Sequence, residues 1–480
     1  MFVLTNAEMK ETERIAIEDK GIPSLILMEN AARGAVDVIL SQNPENVIVF
    51  AGKGNNGGDG LAIARMLITN GITTQIVFIG EKEKATPDCK KNLDILEAYS
   101  ADIVYNTNNI EIEKYDLVVD ALIGTGLSKK LNDKYIEIVN LINKGKFIVS
   151  IDCPTGVNSD TGNDYGIAVN ANITVTFHLP KIGLLLYPAY SHIGKLVVKN
   201  IGAPYISNHN TFVLENPSAL LPQRYDNSNK GTYGKSLFIS GCDTMAGAAV
   251  INGTSAYKAG CGLVNICSTP HVISVIHNTL PEAVTTYRKN INLDYGNVIA
   301  IGSGLGISDE SKNIVDYTLK NAKVPIIADA DALNIMAENE DLKKHTSVIT
   351  PHLKEMSRLT GFKVSYIKEN IVTVAKDYAV KYNTVVVLKD AHTVIVSPDG
   401  RICINITGTS AMSKGGSGDS LTGVITGLIA QGLNAFDASC LGTYINGKAG
   451  EIAENESSSY SVLALDISKA IPKAINEILY

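Results

Sequence analysis

The chain has 480 residues, enough for two or three domains, and its 45% hydrophobic and 19% charged residues are ordinary for a globular protein. A formal net charge of −7 offers no electrostatic footprint for nucleic acid, which leaves small-molecule chemistry as the favoured class. Seven cysteines form no C-x-x-C pair, the N-terminus Met1-Phe2-Val3-Leu4 lacks a secretory apolar region, and no apolar run nears ~18 residues, so we expect a cytoplasmic protein with no membrane partner.

From Met28 to Gly156, short β-branched runs alternate with helical patterns. Strands are expected at 46–51, 73–79, 115–122 and 146–151, and helices at 60–70, 89–99 and 135–143. That alternation is the signature of βαβ units around a parallel sheet. Runs 172–178 and 195–200 extend the sheet. The polar stretch 208–229, with Pro217 and Pro222, then interrupts the pattern, and we place a boundary near residue 214. A second α/β series starts at Ser236 and has strand-like runs at 236–241, 263–268, 297–301, 325–328, 347–350 and 384–389.

Three strand ends in the first half carry polar groups: Asn55-Asn56-Gly57-Gly58-Asp59-Gly60 after the first, Asp120 before Gly124-Thr125-Gly126, and Asp152-Cys153-Pro154-Thr155-Gly156. The glycine run opens a helix, an anion-binding geometry. Together the three ends bring carboxylates, amides and a hydroxyl, hard donors suited to an alkali or alkaline-earth cation. Asp59 read alone is a helix cap, and Cys153 is a small strand-end residue.

In the second half, Ala246-Gly247-Ala248-Ala249 opens a helix; Gly302 to Gly306, Asp329 to Asn334, Thr350 to Glu355 and Lys389 to Thr393 follow strands; and Gly415-Gly416-Ser417-Gly418-Asp419 leads into a helix expected from Ser420 to Gln431. Singly these read as turns or caps, with Asp329 and Asp331 capping a helix and His352 structural. The last run says more. Glycines and a helix N-terminus suit a phosphate, and Asp419 beside them suits a general base taking a proton from an attacking hydroxyl.

On these motifs the region from about Pro217 onward resembles the ribokinase-like superfamily and, within it, the NAD(P)H-hydrate dehydratases. The resemblance implies that Ala248, Gly304 and His352 line a hydrated nicotinamide dinucleotide. It further implies that Lys389, Asp390, Ala391, His392, Thr393 and Gly418 hold ADP or ATP with Mg²⁺, and that Asp419 is catalytic and contacts the substrate. The chain has Ser303 where proline is common, Lys354 and Asp390 where glycine is common, and Thr409 where asparagine is common.

Residues 1–213 resemble the YjeF N-terminal family, the NAD(P)H-hydrate epimerases, also through Phe177-His178 with Lys181 and through Gly194 to Pro204. That resemblance implies K⁺ on Asn56, Asp120 and Thr155, the last standing where serine is common. It implies substrate contacts from Asn55, Asn56, Gly57, Gly58, Asp59, Gly124, Thr125, Gly126, Leu127, Ser128, Lys129, Lys130 and Asp152, with Asp152 the catalytic acid/base.

The expected fold class is therefore α/β in two domains: an N-terminal Rossmann-like parallel sheet over 1–213 and a C-terminal ribokinase-like α/β/α domain over 214–480. The expected function is repair of NADH and NADPH hydrates by epimerisation and nucleotide-dependent dehydration, in a homo-oligomer as the family implies. The rivals are a kinase for a small alcohol or vitamin, which would leave a stable phosphorylated product, and a first half that is a non-catalytic binding module.

Overall fold

In the computed structural model, Val47, Ile48, Val49 and Phe50 are wholly enclosed in strand β1 (Asn46–Gly52), because helices cover both faces of the sheet to which it belongs. Residues 1–205 and 209–479 are described, and the chain divides into two compact units, Met1–Thr211 and Phe212–Tyr480. Asn208, the start of the expected polar stretch, lies outside the described residues.

After β1 the first unit continues with β2 (Thr73–Ile79), β3 (Asp102–Val104), β4 (Leu117–Ala121), β5 (Ile148–Ile151), β6 (Ile173–Phe177) and β7 (Lys195–Lys199). All pair in parallel, in the order β3-β2-β1-β4-β5-β6-β7. The order reverses between β1 and β4. At such a switch point the loops leaving the carboxyl ends part and open a crevice, so the segments after β1, β4 and β5 face one space.

The second unit holds a ten-stranded sheet. After β8 (Thr211–Phe212) come β9 (Lys235–Ile239), β10 (Leu263–Ser268), β11 (Val284–Tyr287), β12 (Val298–Ile301), β13 (Ile326–Ala328), β14 (Val348–Ile349), β15 (Val385–Leu388), β16 (Thr393–Val396) and β17 (Ile402–Asn405). Their order is β11-β10-β9-β12-β13-β14-β15-β16-β17-β8, with the switch between β9 and β12. Strands β9 to β15 pair in parallel and β15-β16-β17 antiparallel. Segment 389–393, expected only as a ligand loop, is thus also the turn of a hairpin.

Two helices start earlier than the sequence pattern indicates, at Asn55 rather than Gly60 and at Ser417 rather than Ser420. Glycine's low helix propensity argues against both starts, and tertiary packing overrides it. A Cβ on Gly57 would stand 1.7 Å from the Gly52 carbonyl oxygen, so only glycine lets the helix lie this close to the end of β1. Gly57→Ala is expected to destabilise the first unit by about 1–3 kcal/mol, the usual cost of overpacking, read as an earlier thermal transition of that unit.

Among the described residues no helix is long and apolar enough to cross a membrane. All seven cysteines are free.

Candidate active sites

A cavity of about 510 Å³ opens at the switch point of the first unit. Gly54, Asn55, Asn56 and Asp59 reach it from the segment after β1, Gly124, Thr125 and Gly126 from the loop after β4, and Asp152 from the end of β5. Lys181 and Glu13 also line it, with Lys10, Lys53 and Asp88 among its other charged residues. Gly57 and Gly58 are buried behind this wall, packed on Gly52 and Met28. The structure does not bring Leu127, Ser128, Lys129 or Lys130 into the lining. Leu127 is buried, with its carbonyl accepting from Asn158, and the next three side chains are exposed.

Asp152 sits in the left-handed region, φ 65°, a conformation that costs a non-glycine residue energy and recurs at functional sites. Its Oδ1 lies 2.8 Å from the Lys181 ammonium, and its Oδ2 accepts from the Thr125 amide at 3.1 Å. Burial, and then the charge of Asp152, push the Asp59 carboxyl well above the ordinary carboxylate range. The same two causes, in the same order, raise Glu13. Asp59 does not cap its helix; Gly54 holds that position without a side-chain bond.

Behind the cavity Asp120 is fully buried and takes four protein donors: the Thr155 hydroxyl at 2.7 Å and amide at 2.8 Å, Ser150 at 2.9 Å and the Leu122 amide at 3.4 Å. Burial raises its pKa, and these hydrogen bonds oppose the rise. Among the described residues no Lys, Arg or His pairs with it. The Asn56 amide, in the orientation its neighbours require, donates to Ile151 O at 3.1 Å and accepts from the Gly124 amide at 3.2 Å.

In the second unit the strand ends converge on Asp329. All four lone-pair sites of this buried carboxylate are used: Oδ1 by Thr350 at 2.7 Å and Lys389 at 3.1 Å, Oδ2 by Thr422 at 2.9 Å and Ser303 at 3.3 Å. Burial works against ionising Asp329, but Lys389's charge and these donors outweigh it and its pKa falls. Neither Asp329 nor Asp331 caps the helix that follows. Ala330 stands at its N-cap with φ 49°, and Asp331 instead accepts from the Gly306 amide at 2.8 Å.

Asp419 lies in the first turn of helix Ser417–Ala430, after Gly416 at φ 97°, a left-handed value that suits glycine. First-turn amides have no intrahelical acceptor. The buried Ser417 hydroxyl and Asn252 Oδ1 also lack partners, so orphaned polar groups gather here. Burial and the Asp329 charge lift Asp419 to about 7, against a hydrogen bond from Ser303 and the charge of Lys389. Asn252 donates to the Asp419 carbonyl at 2.8 Å and to Ser303 at 3.3 Å.

The remaining expected residues fall around this centre. A Cβ on Gly418 would lie 3.2 Å from Lys389 Nζ, and one on Gly304 would lie 2.8 Å from the Ala248 side chain. His352 bridges to Lys389 through the backbone, while its Nδ1 accepts from Lys354 and Glu355 at 3.0 and 3.1 Å as an N-cap. Burial, then Lys389, hold its imidazole below the usual histidine range. Asp390 and Ala391 stay at the surface of the turn, whereas His392 and Thr393 are buried in the hairpin.

The sequence reading did not single out Glu13, Asn252 or Ser303 as site residues, and it noted Lys181 only as part of a matching segment. Each reaches its site across the fold. No local spacing marks them.

A switch-point cavity lined by carboxylates in the first unit, and a carboxylate centre at a glycine-rich helix start in the second, define a two-site α/β protein whose second unit is ribokinase-like in fold. Residues 24–183 match the family described as YjeF-related protein N-terminus, and residues 236–473 match NAD(P)H-hydrate dehydratase. The bifunctional NAD(P)H-hydrate repair enzyme of Thermofilum pendens is 36% identical, over 99% of this chain and 96% of its own length. Its Escherichia coli K12 counterpart is 32% identical, over 98% and 93%. A crystal structure of the ADP/ATP-dependent NAD(P)H-hydrate dehydratase of Bacillus subtilis, co-crystallised with ATP and Mg²⁺, superposes with a TM-score of 0.51 at 32% identity and covers 57% of this chain and 100% of that one. The chain belongs to the bifunctional NAD(P)H-hydrate repair enzymes, an epimerase unit joined to a dehydratase unit.

Proposed function

We propose that the first unit interconverts the R and S hydrates of NADH and NADPH, and that the second dehydrates the S form with ADP or ATP as phosphoryl donor. The observation that carries the dehydratase reading is Asp419, a half-buried carboxyl held to about 7 in the first turn of a glycine-rich helix start, beside Lys389. Hydroxide is a poor leaving group, so the ring hydroxyl has to be converted into a better one. Asp419 takes its proton, the oxygen attacks the terminal phosphorus, and the shortened nucleotide departs. The ring-nitrogen lone pair then expels phosphate with the C–O electrons, and loss of a proton from the adjacent carbon restores the dihydropyridine.

First-turn amides, Ser417 and Lys389 would hold the phosphates. Mg²⁺ would be held by phosphate oxygens and water, supplying charge neutralisation at the transferring group. Ala248, Gly304 and His352 would shape the pocket for the hydrate.

In the epimerase cavity, Asp152 would serve as the acid/base for loss and return of water at the hydrated carbon. Asp59 and Glu13, with raised pKa values, would supply the proton that the leaving hydroxyl needs. Asn56, Asp120 and Thr155 would hold K⁺. In support, Asp120 is a buried carboxylate with no basic side chain opposite it, and the donor set is all hard oxygen. The seven free cysteines support a reducing, cytoplasmic compartment.

The test is recovery of reduced-nicotinamide absorbance from an epimeric mixture of NADH hydrate, under conditions that suppress spontaneous epimerisation. Complete recovery requiring ADP or ATP is expected, slower in its second phase when K⁺ is replaced by tetramethylammonium. A stable phosphorylated product, or no recovery with either nucleotide, would refute the repair reading.

A further inference from the structure

The cavity of the first unit contains one feature that the proposed chemistry does not yet use. Lys181 is 1% exposed, and all three of its ammonium protons have acceptors: Asp152 Oδ1 at 2.8 Å, Thr176 Oγ1 at 3.0 Å and the Phe177 carbonyl at 3.0 Å. A lysine so saturated has no donor left for a substrate. Its backbone is pinned as well: residue 181 bridges to Leu4, the Leu4 amide donates to Pro180 O at 2.9 Å, and the Ile182 amide donates to Leu4 O at 2.9 Å.

Burying an ammonium costs several kcal/mol, and a single buried ion pair is a weak source of stability. An apolar side chain would fill the same volume without that cost. The pair is also unequal. Lysine is enclosed, while Asp152 keeps one edge on the cavity, with its second oxygen on the Thr125 amide and its backbone at φ 65° tied to Val175 O at 2.7 Å. The ammonium and the amide clamp the carboxylate from two sides and leave its remaining lone pairs toward the cavity.

We propose that Lys181 is a positioning residue of the epimerase cavity, fixing the orientation of the Asp152 carboxylate on which epimerisation depends. The proposal rests on the reading of Asp152 as the acid/base group. Other charged or titratable groups around the pair are Lys53 and Asp59 from the segment after β1, Glu13 and Lys10 from the N-terminal helix, Asp88, Cys153 beside Asp152, and His178 near Lys181. Lys181 is the one cation in contact with the Asp152 carboxylate among the described residues.

The experiment is a double-mutant cycle on the full chain, with Lys181→Met, Asp152→Asn and both together, following epimerase kcat and KM against pH by chiral separation of the hydrates. Lys181→Met is expected to lower kcat by roughly 10²-fold with little change in KM, because the carboxylate loses the contact that holds it in place. The double variant is expected to be no slower than Asp152→Asn alone, because Lys181 acts only through that carboxylate. Lys181→Arg, which keeps the charge and the donors, is expected to retain most of the wild-type kcat, and it replaces the Met variant if the latter fails to fold, as judged by the first unit's thermal transition.

An unchanged kcat in Lys181→Met, a loss that adds to that of Asp152→Asn, or an Arg variant as slow as the Met variant would each overturn the proposal. If Asp152→Asn alone keeps wild-type epimerase activity, the failure lies instead in the acid/base reading of Asp152.

Discussion

Asp419→Asn is expected to abolish recovery of NADH from its hydrate while leaving interconversion of the two epimers intact. The substitution keeps the shape and removes the base, so the turnover lost is that of proton removal from the attacking hydroxyl, roughly 10²–10⁴-fold. In the wild type the carboxyl is poised at about 7 by burial and by the neighbouring Asp329 charge. A base works when ionised, so dehydratase kcat/KM is expected to rise about tenfold per pH unit below pH 7 and to level off above it. In the Asn variant that limb should vanish. Steady-state assays across pH 5–9 on the purified S hydrate check both statements, and wild-type activity in the Asn variant would remove Asp419 from the mechanism.

Asp152→Asn is expected to have the complementary effect. Recovery from an epimeric mixture should stop at the input fraction of the S hydrate and creep upward only at the uncatalysed epimerisation rate, with the initial dehydration rate unchanged. The loss in epimerase kcat should again be roughly 10²–10⁴-fold, because Asn neither takes nor returns a proton. Asn also removes the charge opposite Lys181 and leaves a buried ammonium with two neutral acceptors, a cost of about 3–5 kcal/mol in stability. The first unit's thermal transition has to be read alongside the plateau. A plateau in a folded variant assigns the defect to chemistry, and full-rate recovery of both epimers would exclude Asp152 as the acid/base.

Much of the architecture was legible because strands buried on both faces leave near-continuous β-branched runs, as at Val47 to Phe50 and Val385 to Leu388. The helix starts at Asn55 and Ser417 were not legible, since glycine's helix penalty is a local property and the fit of Gly57 against Gly52 is not. Asp329 and Asp331 read locally as caps. Their actual partners, Thr350, Thr422, Lys389 and the Gly306 amide, come from other segments of the fold.

What the sequence by itself determined is the alternation of strand and helix, the glycine-rich turns after strands, and the acidic residues set in them, because these follow from periodicities and backbone freedoms confined to a few neighbouring residues. Only the tertiary structure decided which charges face one another. Lys181 meets Asp152 and Lys389 meets Asp329 because parallel strands bring their carboxyl ends together across large sequence separations, and Glu13 joins the cavity from the N-terminal helix. Burial then converts those meetings into shifted proton affinities, since a charge removed from water depends on whatever partner the fold has placed beside it.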